Sequence, residues 1–324
     1  MQSKKPLKLL ILFITVFFSF KGNAQTDNIQ FLRIDSTAIP KLFAAGIIST
    51  PFTEWSTSFT PDQQTVYTSR GAVYWTIICS KFKDGQWQKP SVVSFSGRWR
   101  DTDPFISHDG KRIFFISNRP AENSGSDKPQ KVFHIWYADK SASEEWTTPH
   151  ELNQLINIDS LSNYSPSADS NMNLYFCSQD REGHSGMQSF VARFDGHEYK
   201  KPEVLSIKGV DEVQDPFIAP DDRYLLFVSN NTLYISYRKK NEWTTAEKLS
   251  TNVNNGDGIS SPYISQDKKM LYYSTARIQG FYKRDPTNKK LSYDDLMKEN
   301  NNCFNGSTNI LMIPVYFSDE TLTN

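Results

Sequence analysis

The sequence predicts an all-β fold in which one hairpin unit is repeated five times around a ring. A strand–turn–strand motif recurs along the chain, and each copy is followed by two further short segments of strand-forming residues. The turns of successive copies lie 46 to 61 residues apart. A period of this length, with several short strands per repeat, is typical of a β-propeller rather than of a helical solenoid.

The clearest copy of the hairpin covers residues 103–119. Its two strand segments flank Asp109-Gly110, which is a strong hairpin turn signal. All copies hold Asp or Ser at this turn position, and five such positions predict five blades: Asp62, Asp109, Ser170, Asp221 and Asp267.

Each repeat continues with a third strand, which is clearest at 133–138 and 233–237. An aromatic-led segment follows and is predicted to be the fourth strand. Proline in three of these four segments suits an outer edge strand, where no ladder donor is needed. The segments begin at Trp87, Trp146, Tyr199 and Trp243.

The fifth repeat ends after its third strand, at 309–317, and the matching fourth strand is found near the other end of the chain. Residues 39–43 repeat the fourth-strand pattern and precede the first hairpin. The sequence therefore predicts a five-bladed β-propeller of four-stranded antiparallel blades, closed by an N-terminal strand that removes an open sheet edge. A ring with a sixth, degenerate blade is the alternative.

The second repeat carries a recognisable family pattern. Pro-Phe-Ile-Ser-x-Asp-Gly-Lys-x-Ile-Phe-Phe-x-Ser-Asn-Arg at 104–119, followed by an Ile-Trp-Tyr strand and a Trp-x-x-Pro segment, resembles the TolB-like, WD-repeat-like β-propeller family. The resemblance covers about residues 53–317 and implies the propeller fold. Members of this family include periplasmic partner-binding proteins, propeller domains attached to peptidases and some carbohydrate-active enzymes.

Residues 1–24 have the features of a secretory signal peptide. Lys4, Lys5 and Lys8 form a basic start, residues 9–20 are almost wholly apolar, and Ala24 is a small residue at the expected cut. The apolar stretch is too short for a comfortable membrane span. We therefore expect residues 25–324 to form a single propeller domain that is secreted or periplasmic, without a membrane span.

Charge and composition narrow the function. Without the leader's four lysines, 32 basic residues face 36 acidic ones, which argues against a nucleic-acid or anionic-membrane binder. The three cysteines show no paired spacing, so that buried free thiols are expected. The five histidines show no metal-ligand spacing, and neither a nucleophile elbow nor a phosphate loop is present. We expect no metal, no cofactor and a monomer.

The fifth repeat has a long insertion at 276–306 between its second and third strands. Within it, residues 291–298 are predicted to form a short helix, with Ser292 as the N-cap. Loops of this length in a compact domain tend to be functional or disordered.

Charged residues recur where first strands begin and second strands end, on one face of the predicted ring. We call this the funnel face. The planar fork of arginine suits carboxylate or sulfate, so that the set predicts a funnel for an anionic or polyhydroxylated ligand. The competing interpretation, favoured by the repetition, is that each carboxylate–arginine pair fastens one blade to the next. The candidate residues are Glu54, Arg70, Arg100, Asp103, Arg119, Arg181, Asp215 and Arg277.

These features predict an exported binding module that recognises a protein partner or a glycan ligand at its funnel face, without catalysis. The alternative is a carbohydrate-active hydrolase or lyase acting on an anionic glycan. In that case Asp103 and Asp215 would serve as acid and base, which requires a separation of about 5–10 Å. Their distance along the chain does not set this separation.

Overall fold

The computed structural model describes residues 29–280 and 285–319. Five antiparallel sheets form a ring, so that the predicted five-bladed propeller is confirmed and the six-bladed alternative is wrong. The blade architecture is the one implied by the resemblance to TolB-like propellers. The predicted signal peptide, residues 1–24, lies outside the described residues.

The strands are numbered in chain order. Two precede the first blade, and they are β1 (Phe31–Arg33) and β2 (Lys41–Leu42). Blade one contains β3 (Glu54–Phe59), β4 (Thr65–Arg70), β5 (Thr76–Lys83), β6 (Gln86–Trp87) and β7 (Ser91–Val92). Blade two contains β8 (Asp101–Ile106), β9 (Arg112–Ser117), β10 (His134–Asp139) and β11 (His150–Glu151). Blade three contains β12 (Asn163–Ala168), β13 (Leu174–Gln179), β14 (Met187–Ala192) and β15 (Glu203–Val204).

Blade four contains β16 (Gln214–Ile218), β17 (Tyr224–Ser229), β18 (Thr232–Lys239), β19 (Glu242–Trp243) and β20 (Glu247–Lys248). Blade five contains β21 (Asp257–Ile264), β22 (Met270–Ile278) and β23 (Asn305–Pro314), and it is followed by β24 (Tyr316–Ser318). The α-helix of the described ranges is α1 (Tyr293–Asn300).

The ring is closed by the N-terminal strand, as predicted. Strand β2 pairs with β23, with Lys41 opposite Met312 and Leu42 opposite Leu311, and completes blade five. Strand β1 pairs with β24 beyond it, and the Leu32 amide donates to the Tyr237 hydroxyl of blade four at 2.9 Å. The edge that β23 would expose is therefore covered by the N-terminal strand β2.

Paired aromatic residues on the second strands fill the spaces between blades. Phe114 and Phe115 are fully buried and belong to two different core clusters, because successive side chains of a strand point to opposite faces. In blade three, Phe176 and Tyr175 likewise belong to two different core clusters. These pairs therefore belong to the core on both sides of their blade.

The fourth strands lie slightly later in the chain than predicted. The aromatic-led segments turn back on the end of the third strand, as in the bridges from Lys140 to Trp146 and from Phe194 to Tyr199. In blades one to three the outer strand begins directly after the proline of each segment, at Ser91, His150 and Glu203. The proline ends the turn and lacks an amide hydrogen, which places it before the ladder.

The blade-five insertion contains the predicted helix. Helix α1 begins after Ser292, whose hydroxyl accepts from the Asp295 amide, so that the predicted N-cap is confirmed. The three cysteines are free, but Cys177 alone is buried, while Cys79 and Cys303 are half-buried. Within the described ranges, no helix has the length and apolarity that a membrane crossing requires.

Candidate functional site

The innermost strand of every blade carries a bulge at the same place. The pairing of first and second strands slips there, and the residue at the slip has a left-handed backbone, with φ between 48° and 54°. Residues with a Cβ seldom adopt this conformation, so that five repetitions mark a specified feature rather than a local defect. We call these residues the bulge ring: Ser56, Asp103, Ser165, Asp215 and Ser261.

The amide of each bulge residue donates to the preceding blade. In three of the five cases the acceptor lies on that blade's second strand. A buried amide without an acceptor costs about 1–3 kcal/mol, so that these bonds hold neighbouring blades together at the axis. Ser274 Oγ accepts from Ser56 at 3.2 Å, Ser69 Oγ from Asp103 at 3.0 Å, and Cys177 Sγ from Asp215 at 3.1 Å.

The other two bulge amides donate to an aspartate. In blades two and four the equivalent second-strand residue is Ile116 or Val228, which offers no acceptor. In these blades the side chain of the bulge residue is the acceptor for the amide of the next blade. Asp103 Oδ2 accepts from the Ser165 amide at 3.0 Å, and Asp215 Oδ2 accepts from the Ser261 amide at 3.1 Å. Three blades therefore combine a polar residue on the second strand with serine in the bulge ring. The other two combine an apolar residue on the second strand with aspartate in the bulge ring.

One serine bridges the two aspartates at the axis. Ser165 donates its amide to Asp103 and its hydroxyl to Asp215 Oδ1, at 2.6 Å. Burial raises the pKa of Asp103 to about 6, with a further contribution from the charge of Asp215 and against the opposing effect of the Ser165 hydrogen bond. Burial raises the pKa of Asp215 as well. The structure thus brings together two of the predicted site residues.

Two cavities lie on either side of the bulge ring. The funnel cavity opens toward the funnel face, has a volume of about 190 Å³, and includes Trp55, Tyr164 and Met187 in its wall. The axial channel lies deeper and has about 30 Å³, close to the share of one water molecule in the liquid. Both cavities are bordered by Ser165, Asp215 and Ser261.

An exposed apolar surface occupies the funnel face of blades one and five. Six of the eleven large hydrophobic side chains that are exposed in the described ranges lie before the first strand, at or after the end of the second strand, or on α1 of these two neighbouring blades. Tyr74 is 77% exposed. It follows Gly71, where φ is 147° and an added Cβ would lie 2.6 Å from the Tyr74 carbonyl oxygen, so that the tight turn requires glycine. The blade one–five surface consists of Phe52, Val73, Tyr74, Ile278, Tyr293 and Met297.

Specific contacts connect this surface to the funnel cavity. Trp75, next to Tyr74, stacks on Trp55 of the cavity wall, with ring centroids 4.0 Å apart and an interplanar angle of 19°. The Trp55 indole donates to Thr102 Oγ1 at 2.8 Å, which fixes the ring. On blade five, the Asn305 side chain donates at 2.9 Å both to the Asn300 carbonyl at the end of α1 and to the Pro51 carbonyl beside Phe52.

Two of the predicted arginines pair with carboxylates of their own blades, away from the aspartates of the bulge ring. Arg70 bonds Glu54 at 2.9 Å and also donates to loop carbonyls at 47 and 48. Burial raises the pKa of Glu54 to about 7, despite Arg70 and the bonds from Thr50. Arg119 bonds Asp101 at 2.8 Å, and Asp101 is fully buried. Both pairs tie a blade to the loop that leads into it.

The other three predicted arginines also have local contacts. Arg181 is almost fully buried and donates to the carbonyls of Leu155 and Ile156, the second at 2.7 Å. Arg277 donates to Asn255 and, at 3.3 Å, to the Tyr273 hydroxyl. The Arg100 guanidinium lies 5.0 Å from the centroid of the Phe133 ring. These contacts join blades to nearby loops and rings, whereas the fastening interpretation expected carboxylate–arginine pairs between neighbouring blades.

The sequence prediction missed four contributors to the axial site: Trp55, Ser56, Tyr164 and Ser165. A signal for the ring was present, because four of its five members precede a proline, as in Asp103-Pro104 and Ser165-Pro166. The acid–base pair of the hydrolase alternative is Asp103 and Asp215. Both carboxylates accept a backbone amide of the next blade, which gives each a structural role.

Comparisons with known proteins give the fold little further context. No protein-family model and no curated protein matches the sequence. TolB from Acinetobacter baumannii is among the solved structures that match, with 14% identity over 81% of this chain and a TM-score of 0.45; the match covers 54% of TolB, about half of its length. An α-L-arabinofuranosidase from Lactobacillus brevis matches with 12% identity over 83% of this chain and 92% of that one, at a TM-score of 0.49. A gluconolactonase from Xanthomonas campestris matches with 8% identity over 88% and 97%, at 0.45. At these values none of them bears on what this chain binds.

Proposed function

We propose that this protein is an exported binding module that docks a protein partner on its funnel face. The observation that carries the proposal is the blade one–five surface, in which two neighbouring blades place six exposed apolar side chains on one face. Exposed apolar groups that are scattered singly are ordinary, whereas contiguous ones mark interaction sites. Tyrosine, phenylalanine and methionine are also residue types that are enriched in protein interfaces.

The surface is held in place rather than left to adapt. Gly71 sets the turn that presents Val73 and Tyr74, and the stacked Trp55 and Trp75 anchor that turn to the bulge ring. Docking on preorganised loops loses less conformational freedom than docking on mobile ones, which favours binding. Export is part of the proposal and is supported by the basic start, apolar stretch and small residue of residues 1–24.

A capture experiment with matched tyrosine variants tests this function. Mature protein, Tyr74→Ser and Tyr316→Ser are immobilised and incubated with envelope extract of the producing cells, and bound proteins are quantified by mass spectrometry. Tyr316 is exposed, like Tyr74, but follows β23 on the opposite face. We expect a partner that the mature protein and Tyr316→Ser retain and Tyr74→Ser loses. Equal recovery by all three would refute docking at this surface.

A further inference from the structure

The funnel cavity contains two buried carboxyl groups without a neighbouring cation. Asp103 and Asp215 both line it, and their hydrogen bonds come from neutral donors: the amide and hydroxyl of Ser165, the amide of Ser261 and the hydroxyl of Thr102. Among the described residues of the cavity wall there is no lysine, arginine or histidine. Buried carboxylates are normally paired with a cation, because the loss of hydration is costly otherwise.

An unpaired hydroxyl in the adjoining channel points to a ligand at the axis independently. Thr57 is 5% exposed and lines the axial channel, and its Oγ1 has no hydrogen-bond partner. The channel shares Ser165, Asp215 and Ser261 with the funnel cavity. The unpaired hydroxyl and the two carboxyl groups therefore border adjoining cavities at the axis.

The walls of the cavity select the kind of cation. Trp55 and Tyr164 present aromatic rings, whose faces attract cations, and Met187 adds apolar contact. A bare metal ion makes no use of such walls, whereas an ammonium group on an alkyl chain uses the carboxylates and the rings together. The volume of about 190 Å³ exceeds the roughly 150 Å³ of a cavity known to hold benzene, so that several methylene groups fit.

We infer that the funnel cavity binds the alkylammonium group of a lysine side chain presented by the partner, between Asp103 and Asp215. The inference rests on the proposed function and deepens it by naming the chemistry recognised at the axis. It reverses the ligand charge expected from the sequence, because the arginines of this face are engaged with their own blades and loops. The blade one–five surface would hold the partner while the cavity takes its lysine.

Calorimetric titration with two matched small molecules tests the inference. Nα-acetyl-lysine methylamide carries the ammonium group, and Nα-acetyl-norleucine methylamide has the same alkyl chain without it. We expect the lysine compound to bind the mature protein at least about tenfold more tightly, a discrimination worth about 1.4 kcal/mol. Equal binding of the two, or no binding of the lysine compound, would overturn the inference.

Two variants locate the binding. Asp215→Asn removes a charge but keeps an oxygen to accept the Ser261 amide, and we expect it to weaken binding of the lysine compound at least about tenfold. Asp211→Asn removes an exposed acid from the loop that precedes β16 and should leave binding unchanged. Unaltered binding by Asp215→Asn would contradict the inference.

Calcium binding that depends on Asp215, without binding of the lysine compound, would assign the cavity to a metal instead. If Asp215→Asn does not fold, the two compounds decide the matter on the unmodified protein.

The inference and the proposed function fail separately. Tyr74→Ser should bind the lysine compound like the mature protein, because Tyr74 lies outside the cavity wall. Loss of partner capture in this variant with retained lysine binding supports both. Partner capture through Tyr74 without lysine binding to the mature protein removes the inference alone.

Discussion

The bulge ring makes a quantitative prediction about blades two and three. Asp103→Ser leaves the Ser165 amide without its acceptor, because Ile116 offers none. Ile116→Ser alone removes a buried aliphatic side chain but adds a hydroxyl at the position from which Ser69 and Ser274 reach the next blade. The double variant reproduces the arrangement of blade five, with serine at both positions.

The magnitude follows from the orphaned amide. Leaving a buried donor unsatisfied costs about 1–3 kcal/mol. We therefore expect the double variant to be more stable than the sum of the two single changes by about this amount. The loss of the Asp103 charge and the loss of the Ile116 side chain occur in the single variants as well, so that both cancel in the double-mutant cycle.

Urea denaturation of the four proteins at one pH measures the coupling. The matched control combines Asp103→Ser with Val228→Ser, whose new hydroxyl faces the Ser261 amide of another blade pair, and should be additive within about 0.5 kcal/mol. A coupling near zero for Asp103→Ser with Ile116→Ser would refute the reasoning. Equal coupling in the control would show that the effect is unspecific.

Two further predictions concern the charged residues. Arg119→Ala leaves the fully buried Asp101 without its cation and should lower the free energy of unfolding by about 3–5 kcal/mol in urea denaturation. Lys200→Ala breaks an exposed pair with Asp195 and should leave the free energy of unfolding nearly unchanged. A small effect of Arg119→Ala would contradict the role of the Arg119–Asp101 pair in tying blade two to its loop. The pKa of Asp103 is about 6 in the folded protein, against an ordinary value of 3.8. Between about pH 4 and pH 6 the folded state therefore holds a proton that the unfolded state releases, so that stability is lost as the pH rises through this window. Asp103→Asn should escape this loss, so that its stability relative to the unaltered protein rises across that window; parallel pH profiles would rule out the buried, protonatable carboxylate.

Much of the fold was predictable because its signals are local. The Asp109-Gly110 turn and the Ser292 cap each specify backbone geometry through neighbouring residues, and both lie where expected. The closing strand was predictable because the repeat count left a blade incomplete. The fourth strands were misplaced because the aromatic residues at 87, 146, 199 and 243 pair with the end of the third strand ahead of the outer strand, and this depends on tertiary pairing.

The site was predictable only in part. Topology alone brings Asp103 and Asp215 to the axis, because both lie near the start of a first strand. The directions of the arginine side chains depend on their contacts with carboxylates and loop carbonyls, which the strand pattern does not specify. In blades two and four, an apolar residue on the second strand, Ile116 or Val228, occurs together with aspartate at the bulge. This correspondence can be recognised only when the strand register is known.

Photo-crosslinking through position 74 tests most directly whether the funnel face is a docking surface. A photoreactive phenylalanine derivative replaces Tyr74 in one protein and Tyr316 in another, and both are irradiated in the producing cells. We expect a discrete protein adduct from position 74 and none from position 316. No adduct at position 74, or the same adducts from both positions, would contradict it.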